Sequence, residues 1–394
     1  MTPIPVGDAL ALLRQLVRVD SRNPSLVAGA PGEGALADVL AATLREWGFA
    51  VELQPAAPGR TNVVARIGPT GTRSLMFNGH LDVVGVEGMV HAPFAADERD
   101  GRLYGRGSCD MKGGVAAMCA AAARAAAAGL DGEVIVAAVV DEEYESLGTR
   151  ALVAAGVRAD AAIVTEPTRL AVNPAHRGFV WAELAFRGRA AHGSRYDLGV
   201  DAIRHAGLVL AALDQLQRSV LDRRTHPLLG HASLHASTIA GGAGWSTYPD
   251  RCLLRLERRT MPGETTEDVM SQLRAACEQV AAYDPSLDVD VTHVLTQRPS
   301  DVATDAPVVR ALERAMRAEG EAVLHEGMTA WTDAAILNDA GIPAICYGPG
   351  DIMLAHADEE WIALDEVERA TRVLTRLARD WVRGAQDEVR GAHA

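Results

Sequence analysis

Seven consecutive apolar residues, Val134–Val140, run straight into three acids, Asp141-Glu142-Glu143. A run this short and this uniformly apolar fits a strand buried on both faces. Strands of that kind belong to parallel sheets covered by helices on either side, so the run constrains its neighbours as well as itself. The flanking sequence agrees. Val115–Ala128 is alanine-rich and a strong helix former. Leu10, Leu13, Leu16 and Val17 form a helical stripe, and Gly34–Trp47 reads as a helix with Gly48 placed to cap its end. Ala50–Leu53, Asn62–Arg66, Ser74–Asn78 and Ala161–Thr165 read as strands, with a helix around Leu147–Ala155. This alternation predicts an α/β fold with a mainly parallel sheet flanked by helices.

The pattern changes near Arg177. Val180–Arg187, Ser233–Ile239 and Arg251–Arg258 alternate, and Gly199–Gln217 and Glu264–Ala282 read as helices. Alternation on one face predicts a smaller antiparallel sheet with two helices on its covered side. After about Gln297 the first pattern returns, with a helix at Pro307–Glu319, a strand at Pro343–Tyr347 and a helix near Asp365–Arg383. The chain therefore reads as a split domain, 1–177 and 297–394, with an inserted α+β domain at 178–296. Its 394 residues suit two domains at roughly 100–200 residues each.

Charge and cysteine content remove several classes of function. The net charge of -14 disfavours a phosphate backbone as partner, and aromatics at 4% leave few stacking platforms for single strands. No nucleic acid partner is expected. Five cysteines without a C-x-x-C pair argue against a disulfide framework and for a reducing, cytoplasmic setting. Met1-Thr2-Pro3-Ile4-Pro5 does not open a signal peptide. The longest apolar stretch, Val115–Leu130, is interrupted by Arg124 and too short for a membrane span.

Polar residues gather where the apolar strands end. His80 and Asp82 follow one strand, Asp141-Glu142-Glu143 another and Glu166 a third. His356 follows Pro343–Tyr347 after a Gly348-Pro349-Gly350 loop, and Asp110 follows the turn Gly105-Arg106-Gly107. That turn is no phosphate loop, because neither nucleotide-binding glycine pattern is present. Open α/β sheets bind ligands at the carboxyl ends of their strands. Each cluster alone has an ordinary explanation as a loop hydrogen bond or a solvated corner. Together, two histidines and several carboxylates make a donor set for a borderline metal such as zinc. An extended backbone puts Asp82 on the same face as His80, where it can orient the imidazole. Glu142 and Glu143 point to different sides, so one is free to ligate and the other to act as a base. One Asp between two ions can bridge them, with His80 and Glu166 on one and Glu143 and His356 on the other.

These segments resemble the acetylornithine deacetylase and succinyl-diaminopimelate desuccinylase family of dinuclear zinc metallohydrolases, which also includes aminoacylases and carboxypeptidases. The resemblance is carried by Leu75–Val84, Gly101–Gly114, Asp141–Leu152, Ala162–Pro167, Gly188–Ser194, Glu257–Gly263, Thr332-Asp333-Ala334 and Gly348–Glu360, in the family's order. It implies two divalent cations, zinc with cobalt or manganese as alternatives. His80, Asp110 and Glu166 would hold one; Asp110, Glu143 and His356 would hold the other. Glu142 would be the general base, and Asp82 the acid orienting His80. The peptide bond at Asp110–Met111 would be cis. The inserted domain would serve as lid and dimerisation domain of a homodimer. In it, His192 would reach the partner subunit's active site to stabilise an oxyanion, and Arg259 would bind the substrate carboxylate. Two positions depart from the family pattern: Ser246-Thr247-Tyr248-Pro249 replaces an Asn-Val-x-Pro loop, and Met89 stands where a tryptophan is usual. The function implied is hydrolysis of the amide bond of an N-acyl amino acid, with a water activated between two metals. A dipeptidase, carboxypeptidase or desuccinylase is the nearest alternative, and a non-catalytic metal-binding protein on the same fold is the alternative of another class.

Overall fold

The apolar run becomes the strand Glu133–Val139, in the interior of a mixed sheet. Val134, Val136 and Ala138 face one helical layer, while Ile135, Ala137 and Val139 are buried on the opposite side. The computed structural model describes residues 3–71 and 73–384. Met1-Thr2 of the segment read for a signal peptide, and the outermost residues of the predicted split domain, lie outside the described residues.

The chain forms two units. The first comprises Met1–Pro174, Val302–Glu326 and Thr332–Ala394; the second comprises Ala175–Asp301 and Gly327–Trp331. In the first unit the strand order is Ala50–Ala57, Arg60–Ile67, Glu133–Val139, Ser74–His80, Ala162–Val164, Ala344–Cys346. The last four run parallel. The first two form a hairpin that joins them antiparallel. The helices Ala9–Val17, Gly34–Glu46, Gly113–Ala127, Pro307–Ala318 and Leu364–Val382 share one apolar cluster with the sheet. Gly113–Ala127 is buried almost all round, which small alanine side chains permit because neighbouring backbones can approach closely. No helix among the described residues is long and apolar enough to cross a membrane.

The second unit has a four-stranded antiparallel sheet in the order Ser233–Gly241, Arg251–Thr260, Gly178–Arg187, Asp288–Gln297. Val180, Ala182, Leu184 and Phe186 alternate onto the helices Ala202–Ser219 and Thr266–Ala281. The first of these helices starts later than the apolar pattern suggests. Asp201 stays extended and its carboxylate accepts the N–H of Arg204, which fixes the start at Ala202. A capping box between Thr265 and Asp268 opens the second.

Candidate metal centre

The sheet register sets the site. His80 pairs with Val139, Asn78 with Val164, and Val164 with Cys346. Four parallel strands therefore end at one edge, and the chain beyond each end carries His80 and Asp82, Asp141-Glu142-Glu143, Glu166, and the loop toward His356. Asp110 arrives from the irregular turn Ser108–Lys112 at the start of the helix Gly113–Ala127, with a cis peptide to Met111. Gly114 lets this helix start lie directly against the strand end at Thr165: a Cβ there would sit 1.9 Å from the Thr165 carbonyl oxygen. Only glycine permits that approach.

Two triads result. His80 Nε2 lies 3.0 Å from Asp110 Oδ1 and 4.0 Å from Glu166 Oε1. His356 Nε2 lies 2.9 Å from Glu143 Oε2 and 3.5 Å from Asp110 Oδ2. Within each triad the candidate donor atoms lie within 4.8 Å of one another, and Asp110 belongs to both. Glu142 joins neither triad; its Oε2 is 4.0 Å from His80 Nε2. His80 Nδ1 is 2.9 Å from the Asp82 carbonyl oxygen, which can only accept, so Nδ1 carries the proton and Nε2 is turned to the acids.

That bond departs from the sequence reading of Asp82. Its backbone oxygen, not its carboxylate, holds the imidazole; the carboxylate is 3.7 Å from Nδ1. The strand stops at His80, so the same-face geometry of extended chain no longer applies. The carboxylate instead accepts the backbone N–H groups of Glu142 and Glu143, each at 3.1 Å, and Asn23 Nδ2 at 2.8 Å. Behind it, Asn23 also donates to Asp141 Oδ1 at 3.1 Å, and buried Arg60 bridges Asp141 and Glu33. Asn23, Glu33 and Arg60 gave no sequence signal. Their partners stand 27 to 118 residues away, and no local motif announces such pairs.

The electrostatics favour a cation. Burial, then repulsion from Glu166, pushes the Glu142 carboxyl well above its ordinary range. Burial, then Asp110, does the same to Glu166, and burial also raises Glu143. Asp110 goes the other way: burial opposes its ionisation, but hydrogen bonds from His356 and His80 outweigh it. Burial works against a charged His356, yet Asp110 and Glu143 push it up to about 11. Packing several carboxylates together out of water is costly unless positive charge compensates. Glu166 Oε1 is buried with no hydrogen-bond partner, as a metal-directed oxygen would be. The residues present thus fit a pair of divalent cations bound through His and carboxylate donors.

His192 and Arg259 belong to the second unit. His192 is exposed, its Nδ1 2.8 Å from Ser194 Oγ. The loop that departs from the family pattern is its neighbour: His192 bridges Thr247, Gly193 donates to the Ser246 carbonyl at 2.8 Å, and Tyr248 donates to Ala191 at 2.9 Å. Arg259 donates from Nε to Glu257 at 2.6 Å and lies over the Phe179 ring at 5.3 Å.

The profile of peptidase family M20/M25/M40 matches residues 76–380. The chain belongs to this family. It is 33% identical over 352 residues to an acetylornithine deacetylase of Myxococcus xanthus, covering 86% of this chain and 90% of that one. It is 27% identical over 391 residues to N-formyl-4-amino-5-aminomethyl-2-methylpyrimidine deformylase of Bacillus subtilis, covering 87% and 88%. Its fold is similar to that of the Bacillus subtilis YXEP protein, a dinuclear metal-binding peptidase of the M20 family, with a TM-score of 0.72 at 17% identity, covering 95% of this chain and 98% of that one. An M20-family chain with these relatives is an amidohydrolase acting on linear amides. The M20 match takes in every residue of both triads and Glu142.

Proposed function

We propose that this chain removes the acyl group of an N-acyl amino acid of the acetylornithine type, using two zinc ions. The observation that carries the reading is Asp110, shared between two triads, with Glu142 beside them and outside both. His80, Asp110 and Glu166 would hold one ion, and Asp110, Glu143 and His356 the other; cobalt or manganese would suit the same donors. When bound, the ions would polarise the amide carbonyl and acidify the attacking water.

The chain's own groups do the rest. Glu142 takes one proton from the water as its oxygen bonds to the carbonyl carbon. It then delivers the proton to the nitrogen as the carbon–nitrogen bond breaks, leaving a free amine and a carboxylic acid. Asp82 keeps the Glu142–Glu143 backbone still during both transfers. His192 would donate to the oxyanion from a second copy of the chain, and Arg259 would take the substrate carboxylate. A homodimer formed through the second unit is part of the proposal. The strand Ser233–Gly241 lies at its sheet's edge, mostly exposed, and Ile239, Tyr196 and Trp245 are exposed apolar groups in the same unit. A cytoplasmic setting is supported by five buried, unpaired cysteines.

Zinc-loaded protein, with a chelator-treated control, would be tested on N-acetyl, N-succinyl and N-formyl amino acids, N-acetylornithine among them, and on dipeptides. Metal-dependent release of acetate is expected. Cleavage of dipeptides alone would make the chain a peptidase, and inactivity on every compound would favour a metal-binding protein without catalysis.

A further inference from the structure

Asp110 sits in both triads, so whatever fixes its backbone fixes both. One carboxylate does so. Glu360, buried and used nowhere in the reaction above, accepts four hydrogen bonds. Its Oε1 takes the backbone N–H groups of Cys109 at 3.0 Å and Asp110 at 3.1 Å. Its Oε2 takes the N–H of Gly107 at 3.1 Å and Arg106 Nη1 at 2.7 Å. Gly107 has a φ of 79°, a left-handed conformation that turns neighbouring N–H groups of the turn toward one point. Concavities of this kind hold anions; here the anion is internal.

The same residue stands four positions after His356. Its carbonyl oxygen accepts the N–H of Gly105 at 3.2 Å, and the strand that follows, Trp361–Ala363, pairs with Arg102–Tyr104. The Asp358 carbonyl oxygen accepts from Val90 at 3.1 Å. The segment carrying His356 is therefore fastened to the loop carrying Asp110 by the Glu360 side chain, by the Glu360 carbonyl and by the strand after it, while the Asp358 carbonyl ties its other side to Val90. Four residues span at most about 14 Å, so seating Glu360 bounds how far His356 can stand from the Asp110 loop.

We propose that Glu360 is a positioning residue that sets the affinity of both cation sites by clamping the Asp110 loop to the His356 segment. This rests on the two-cation reading of the triads. Glu360→Gln isolates the clamp, because it keeps the shape but turns one oxygen into an N–H donor. In either amide orientation that donor meets two others, Arg106 and Gly107 or Cys109 and Asp110, and the loop must move.

The experiment is a zinc titration of metal-stripped wild-type and Glu360→Gln protein, reading affinity and ions bound per chain, with circular dichroism and thermal melting of the metal-free forms. The wild type is expected to bind two ions. The variant is expected to keep its metal-free fold and to bind zinc about 10- to 100-fold more weakly. A residue with a merely structural role would lower the metal-free melting temperature and leave the affinity of the folded chain alone. Wild-type affinity at both sites in a folded Glu360→Gln variant overturns the proposal and leaves the two-cation reading standing; a wild-type chain that binds no zinc overturns both. If the Gln variant does not fold, Glu360→Asp decides the matter. It keeps the charge beside Arg106 but withdraws the oxygens by one methylene, and unchanged zinc affinity there overturns the proposal equally.

Discussion

In the first unit the chemistry-bearing side chains, apart from the exposed His356, are buried or nearly so, and their backbones are pinned: Glu142 and Glu143 by Asp82, Asp110 by Glu360. In the second unit His192 is exposed with Ser194 as its neighbour, and Arg259 is half-buried beside Glu257. The contrast matches the role proposed for each set. Carboxylates that converge on a cation must be held in place against their own repulsion, which takes a backbone scaffold. Groups that meet a substrate must first be reached by it. Damage in the first unit should therefore abolish chemistry or metal binding, and damage in the second should weaken recognition.

The largest effect expected is from Glu142→Gln, which should lower kcat by about 10²–10⁴-fold while two metal ions remain bound. Turnover near the wild-type rate, measured alongside metal content, would take the base away from this residue. Next comes metal removal. Each ion held at about 100 times its dissociation constant should add about 2.7 kcal/mol to stability, so chelation should lower the melting temperature and Asp110→Asn should mimic it. Equal melting of stripped and loaded protein would break the link between buried acids and cations.

The second unit has its own stability test. Burial lowers His176 from 6.5 to about 4, against an opposing hydrogen bond to the Arg177 carbonyl, and its Nε2 is buried without a partner. Between those values the unfolded chain takes up a proton that the folded chain refuses. Stability is then intact above 6.5 and falls as the pH drops toward 4, by about 3 kcal/mol in all. His176→Gln, which cannot titrate, should show a shallower loss in urea unfolding between pH 7 and pH 4.5; an identical slope would exclude His176 as the source. The smallest effect is expected at Arg259. Arg259→Gln should raise KM about tenfold with little change in kcat, the pattern of lost ground-state binding. A fall in kcat at constant KM would move Arg259 from recognition into the chemical step and erase the contrast between the units.

Sequence alone was informative where function coincides with local pattern. Val134–Val140 announced a buried strand, and the acids beyond it lie where a strand end in an open sheet must place them. His80, Asp110, Glu143, Glu166 and His356, the proposed ligands that converge in two triads, could be singled out because each stands next to a strand end or a glycine turn. What holds them could not. Glu360 meets the Asp110 N–H across 250 residues, and Asn23 meets Asp82 across 59. Such bonds depend on which loops the fold brings together, and an isolated Glu or Asn carries no mark of it. Asp82 shows the same limit at short range: its partnership with His80 was legible, but not that the backbone oxygen would supply it.

The order of these residues along the chain matters during synthesis. His80, Asp110 and Glu166 leave the ribosome long before His356 and Glu360, and translation runs from the N-terminus at about 5–20 residues per second. For about ten seconds or more, a nascent chain holds one triad and two of the three residues of the other, Asp110 and Glu143, with Asp110 not yet fastened. On the two-cation reading, it would be unable to complete its metal complement until His356 and Glu360 had been made. Prematurely ended products would emerge as metal-poor, inactive chains, so the cell would not meet a half-made hydrolase that cuts amides.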